Sequence, residues 1–149
     1  MQINIFYNTV MPKYYRATAK YRAVCLKALG KIARGAGELN LIFVSEAEIL
    51  KINKKFLRHN YITDVITFHY PHGTPFGDIF ICFKQGLKQA KEQGHGGLKE
   101  LLIIAAHGAL HLAGHDDKTP KERAAMNAIA AQVATGCLTQ RRPHHGRYK

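Results

Sequence analysis

His107, His111 and Asp117 lie in the segment HGALHLAGHDD, which reads His-x-x-x-His-x-x-Gly-x-x-Asp. Residues four apart on a helix share one face, about 6 Å apart along the axis. Two imidazoles at that spacing can grip a single metal ion. Gly114 can end the helix, because glycine tolerates the left-handed backbone found just past many helix ends. The chain can then swing Asp117 back toward the same ion. Three protein ligands leave one position for water, the ligand count of a catalytic zinc site. His115 invites a three-histidine set instead. On an unbroken helix it would stand about 12 Å from His107 along the axis, too far for rings held about 2.0–2.1 Å from one ion. The surrounding run LLIIAAHGALHLAG is apolar, so imidazoles buried there need partners. A core hydrogen bond would supply one, and a shared cation would supply one to both.

Zinc peptidases use the same histidine spacing but place a glutamate directly after the first histidine as general base. Here that residue is Gly108, which has no side chain to take a proton, so the peptidase reading weakens. Glu100 stands seven residues before His107 on a similar helix face, about 10 Å away along the axis. That distance suits an outer or packing role.

The elements around this segment follow from periodicity. Residues 2–8 alternate polar and apolar and read as a strand. Pro12 suits a helix start, and 13–34 reads as one basic helix stopped by the glycines of ARGAGEL. Residues 38–45 read as a second strand. Ser45 with Glu48 three residues on has capping-box spacing, so 46–57 reads as a short helix. Residues 63–70, rich in β-branched and aromatic side chains, read as a third strand, 71–77 as a turn, and 78–83 as a central strand. Helices follow at 84–93, at 98–113, and from about 118–120 to about 133. The pattern implies an α+β domain over residues 1–149. It has a single mixed sheet of about four strands covered by helices, with the His-x-x-x-His helix buried. The basic tail, from about 139 to 149, reads as mobile.

The net charge is +12, which favours polyanions through phosphate contacts and counterion release. The cations cluster: Lys51, Lys54, Lys55 and Arg58 form one group, and Arg141, Arg142, Arg147 and Lys149 crowd the tail. RNA or a ribonucleoprotein is therefore the leading partner, against a merely solvated basic surface. Three widely spaced cysteines, Cys25, Cys82 and Cys137, argue against a disulfide framework and for a reducing cytoplasm. The apolar run before Gly114 is too short for a span, which needs about 20 residues, and the N-terminus does not read as a signal peptide. No membrane association is expected.

These residues resemble the YbeY family of metal-dependent endoribonucleases. The family's usual signature is His-Gly-x-Leu-His-Leu-x-Gly-Tyr-Asp-His, against His107-Gly108-Ala109-Leu110-His111-Leu112-Ala113-Gly114-His115-Asp116-Asp117 here. Its Leu-Asn followed by Thr-Asp-Val-Leu-Ser-Phe is matched by Ile52-Asn53 and Thr63-Asp64-Val65-Ile66-Thr67-Phe68. Its Gly-Asp-Ile-x-Ile-Cys or Ser is matched by Gly77-Asp78-Ile79-Phe80-Ile81-Cys82. The three ordered motifs cover roughly residues 38 to 135. Two departures stand out: the third metal histidine of most members falls at Asp117, and the arginine before the Thr-Asp motif aligns with Leu57, one residue before Arg58.

The resemblance implies a hydrolase that cuts single-stranded RNA, including rRNA precursors, and acts in ribosome maturation or quality control. It implies one zinc ion, or another divalent metal, on His107, His111 and Asp117, with Arg58 as a phosphate clamp in place of the family arginine. Ribosomal proteins or the ribosome are the implied partners. Gly108 leaves no obvious base, so attack by water and by the RNA 2′-OH both stay open. A second reading is a non-catalytic, metal-stabilised ribosome assembly factor, in which His115, His144 or His145 completes a four-ligand shell.

Overall fold

The computed structural model describes residues 1–70 and 76–139. The expected mobile tail therefore lies outside the described residues beyond Thr139, as does most of the expected 71–77 turn. Eight elements follow the chain to the end of the sheet and its helices: β1 (Gln2–Tyr7), α1 (Thr18–Leu29), β2 (Glu38–Val44), α2 (Glu46–Leu57), β3 (Val65–His69), β4 (Gly77–Cys82), α3 (Phe83–Gln93) and α4 (Gly97–Leu112), with α5 (Pro120–Thr139) closing the described chain. The strands form one four-stranded mixed sheet in the order β1-β2-β4-β3. β1, β2 and β4 are parallel, and β3 runs antiparallel along β4 at the edge. The architecture is thus the expected α+β sheet with helical cover.

Two expected helices have different bounds. The span 13–34 is interrupted: a 3-10 turn covers Lys13–Tyr15, α1 stops at Leu29, and a second 3-10 turn covers Gly30–Arg34. Gly30 takes φ 61° at the end of α1, a backbone state glycine enters without steric cost, so the helix stops there rather than at the later glycines. Upstream, the hydroxyl of fully buried Tyr21 donates to the Tyr15 carbonyl at 2.7 Å, which ties the first corner to α1. The last helix runs on to Thr139 because its buried stripe, Met126, Ala130, Ala134 and Cys137, keeps helical spacing past Val133.

Alternation along the strands separates the two faces of the sheet. Leu39, Leu41, Phe43, Ile79 and Ile81 face the main core, shared with α1, α4 and α5. Ile42, Val44, Ile66 and Cys82 face a smaller cluster with Ile49 and Ile52 of α2. α4 lies in the main core and is buried on nearly every side. Its close approach to the sheet depends on Gly108: a Cβ there would meet Ile79 Cγ2 at 2.9 Å and Thr67 Cγ2 at 3.3 Å. The three cysteines are buried and free, and complete burial pushes the Cys25 thiol up to about 12. Among the described residues no helix is long and apolar enough to cross a membrane.

Candidate functional site

Past its first residue, the partly exposed positions of α4 form one stripe, Lys99, Ile103, His107 and His111, each four residues after the last. The helix is buried as expected, but the two imidazoles are not: they lie along its open edge. Their ring centroids are 6.0 Å apart. Polarity explains the placement, since leucines and alanines can fill the core faces without any hydrogen-bond demand.

The end of α4 is built as expected from Gly114. Its φ is +98°. The Gly114 N–H donates to the His111 carbonyl at 3.0 Å, and the His115 N–H donates to the Leu110 carbonyl at 3.0 Å. That pair of bonds is the Schellman closure of a helix. The chain reverses, and Asp117 Oδ2 comes to 3.2 Å from His111 Nε2. The His115 side chain is exposed, and its backbone rather than its ring takes part in the corner.

Two groups hold the returning turn. Thr119 and Glu122 cap α5 reciprocally: the Glu122 N–H donates to Thr119 Oγ1 and the Thr119 N–H to Glu122 Oε1, each at 3.1 Å. This is the capping box, with Pro120 at the first helical position, where its missing N–H costs nothing. Arg123 Nη1 donates to the carbonyls of Asp117 at 3.1 Å and Lys118 at 3.2 Å. The carboxylate of Asp117 is thus aimed by its own backbone being held.

His107 has a different partner. Its Nε2 lies 2.6 Å from Oδ1 of Asn127 on α5. Among the described residues no three His, Cys, Asp or Glu side chains stand together as a finished ligand set. His111 and Asp117 are paired, while His107 waits one turn away on the amide of Asn127. The donor chemistry nevertheless suits a borderline divalent cation, because imidazole nitrogen and carboxylate oxygen are both ordinary zinc ligands. Two of the three donors already meet, and the third shares their face of the helix.

Three further carboxylates have partners of their own. Glu100 is buried at 7% exposure, with Oε1 3.6 Å from His95 Nε2. Desolvation raises its pKa above the ordinary carboxylate range. His95 opposes that shift, and the charge of Asp64 adds to it. Thr63 Oγ1 donates to Asp64 Oδ1 at 3.3 Å. Asp78 accepts from Asn40 Nδ2 at 3.0 Å and from the Tyr70 hydroxyl at 2.9 Å, so it stitches strands together. Arg58 follows α2, which packs on the opposite face of the sheet from α4. Among the described residues it makes no hydrogen bond or ion pair with His107, His111 or Asp117.

Gly108 also bears on the peptidase alternative. The position where a peptidase carries its base is buried against Ile79 and Thr67, facing the sheet and not the histidine stripe. A glutamate there would enter the core.

Sequence reasoning missed Asn127 and Arg123. Arg123 had a signal, since Thr119-Pro120-Lys121-Glu122 has capping-box spacing and fixes the start of α5. Asn127 had none, because only the packing of α5 on α4 brings it to His107.

A mixed four-stranded sheet, backed by a helix that ends in a histidine pair and a returning carboxylate, defines an α+β protein with a candidate cation site at a helix C-terminus. The family profile described as Endoribonuclease YbeY matches residues 6–137, and the chain belongs to that family. An Elusimicrobium minutum protein named Endoribonuclease YbeY is 54% identical over 139 residues, covering 89% of this chain and 97% of that protein. One of the same name from Spiroplasma citri is 33% identical over 117 residues, covering 71% and 74%. The solution structure of a Thermotoga maritima protein superposes with a TM-score of 0.64 at 28% identity, covering 91% of this chain and 90% of that one.

Proposed function

We propose that this chain is a metal-dependent endoribonuclease that cuts single-stranded RNA, with rRNA precursors as substrates and a role in ribosome quality control. The observation that carries the reading is the Asp117 carboxylate 3.2 Å from His111 Nε2, one turn from a second imidazole, in a chain of the YbeY family. His107, His111 and Asp117 would hold zinc or another divalent cation. Bound there, such a cation lowers the pKa of water and polarises a phosphoryl oxygen.

The chain's own residues supply the positioning. Gly114 and Arg123 bring Asp117 to His111. Asn127 holds the His107 ring, and recruiting that nitrogen to a cation exchanges its hydrogen bond for coordination. Arg58, with Lys54 and Lys55, draws in phosphates, Arg58 serving as the phosphate clamp. A net charge of +12 supports RNA and the ribosome as partners, and three buried free thiols support a cytoplasmic setting. The peptidase alternative loses ground at Gly108.

The test is cleavage of an unstructured RNA by purified protein and by His111→Ala. We expect the variant to lose cleavage while keeping its melting temperature, because His111 lies on the open stripe. Equal cleavage by both forms would point to a contaminating nuclease and remove the reading.

A further inference from the structure

We infer that the end of α2 and the loop after it form a stacking platform for the unpaired bases of single-stranded RNA. The inference rests on the endoribonuclease reading and adds where, away from the histidines, the substrate is held.

The surface is exposed and aromatic. Phe56 is 57% exposed and Tyr61 54%. The rings of His59 and Tyr61 are stacked, with centroids 5.2 Å apart and planes 19° from parallel, and the Tyr61 hydroxyl lies 3.1 Å from His59 Nδ1. Lys55 Nζ stands 5.3 Å from the centre of the Phe56 ring. Residues 49–63 carry Lys51, Lys54, Lys55 and Arg58 and no carboxylate. Flat rings interleaved with cations are the two components of a single-strand surface, one meeting base faces and the other the backbone. The core of a protein interface is instead depleted of lysine, whereas three lysines precede the rings within this segment and one stands over Phe56.

The platform is fixed although it is exposed. Arg58 adopts φ 58°, a left-handed state uncommon outside glycine and asparagine. That turn lets the Asn53 carbonyl accept the N–H groups of both Arg58 and His59. The Asn53 side chain is buried at 1% exposure, and its Nδ2 donates to the Tyr61 carbonyl at 2.8 Å. A buried amide thus ties down an exposed loop, so little ordering remains to oppose stacking. Asn53 is a positioning residue for the platform.

The loop also leads toward the candidate cation site. Tyr61 is four residues from the start of β3 at Val65, at most about 14 Å of chain, and Thr67 of β3 packs against Gly108 of α4. A strand stacked on His59 and Tyr61 can therefore pass around the β3 edge toward the α4 face.

Binding of two end-labelled oligomers of about twelve nucleotides tests this, read by fluorescence anisotropy in chelator to suppress cutting. One is oligoadenylate and the other an abasic ribose-phosphate chain of equal length. We expect the native protein to prefer oligoadenylate about tenfold or more. Tyr61→Ala and His59→Ala should erase most of that preference, and Tyr61→Phe should retain it. Lys54→Ala should weaken both oligomers alike and lower the salt slope by about 1. A native protein without base preference, or a folded His59→Ala, Tyr61→Ala double variant that keeps it, overturns the platform. Loss of the preference in Tyr61→Phe as well would overturn stacking as the cause. Cleavage with metal restored separates the two readings. Base preference without cleavage leaves the platform standing and removes the endoribonuclease, and cleavage without base preference does the reverse.

Discussion

The two faces of the sheet are built to different depths. On the α4 face, backbone meets sheet: Gly108 lets the helix settle onto Ile79 and Thr67, and Leu101, Leu102 and Leu110 are at most 2% exposed. On the α2 face a small cluster of Ile42, Val44, Ile49, Ile52, Ile66 and Cys82 suffices, and rings such as Phe56 stay in water. The deep face carries the histidines on a rigid element, as a site needing sub-ångström placement requires. The shallow face carries groups that meet ligand by stacking and charge, where tolerance is wider. The comparison teaches that placement on this fold follows the precision each task demands.

Breaking the deep face should have the largest effect. Gly108→Glu must overpack the sheet, at about 1–3 kcal/mol, and must bury a carboxylate as well, which costs several more. We expect no folded protein, read by thermal melting and circular dichroism. Gly108→Ala should melt several degrees lower, while Tyr61→Ala on the shallow face should change stability by at most about 0.5 kcal/mol. Equal losses at both positions would erase the distinction.

The next effect sharpens the comparison at the site. Arg123→Ala frees the backbone of Asp117 and should weaken divalent-metal binding about tenfold or more, the usual range for groups that orient a ligand. Titration calorimetry would show it, with little change in melting. An unchanged affinity would mean that Gly114 alone aims the carboxylate.

Glu100 tests the deep face by pH. Burial raises its folded pKa above the unfolded value. The native state therefore binds more protons, and stability falls as pH climbs from the ordinary carboxylate range through the raised value. Glu100→Gln should melt like the parent in acid and higher than the parent at neutral pH. A variant that is less stable at neutral pH would show that the His95 contact outweighs desolvation.

The smallest effect is expected at Asn127. Its hydrogen bond to His107 is worth about 0.5–1.5 kcal/mol net. Asn127→Ala should tighten metal binding by a few-fold, because no bond is then broken to recruit the ring. Weaker binding would make Asn127 an orienting partner instead.

Much of this was legible in the sequence, for local reasons. The strands, the Ser45 cap and the Gly114 corner depend on neighbours within a few residues, and each stands where spacing placed it. The mixed sheet rested on the order of the elements and the family resemblance on three ordered motifs, and the family match extends beyond the span those motifs cover. What was not legible is tertiary. The first long helix broke upstream, where the buried Tyr21 ties the Tyr15 corner, and again at Gly30, which takes a positive φ, and α5 continued because α1 and α4 cover its alanine stripe. The exposure of His107 and His111 ran against the apolar run around them. The stripe emerges only once the sheet and α5 have claimed the other sides of α4. Asn127 reaches His107 across two helices, and no spacing encodes that contact.

The central claim is a divalent cation on His107, His111 and Asp117, and the most direct measurement is metal content paired with RNA cleavage through a cycle of chelation and metal return. The account predicts about one bound ion per chain. Chelation should remove the ion and the cleavage together, returning the metal should restore both, and Asp117→Ala should lack both while remaining folded. A metal-free native protein that cuts RNA at full rate, unaffected by Asp117→Ala, would contradict it.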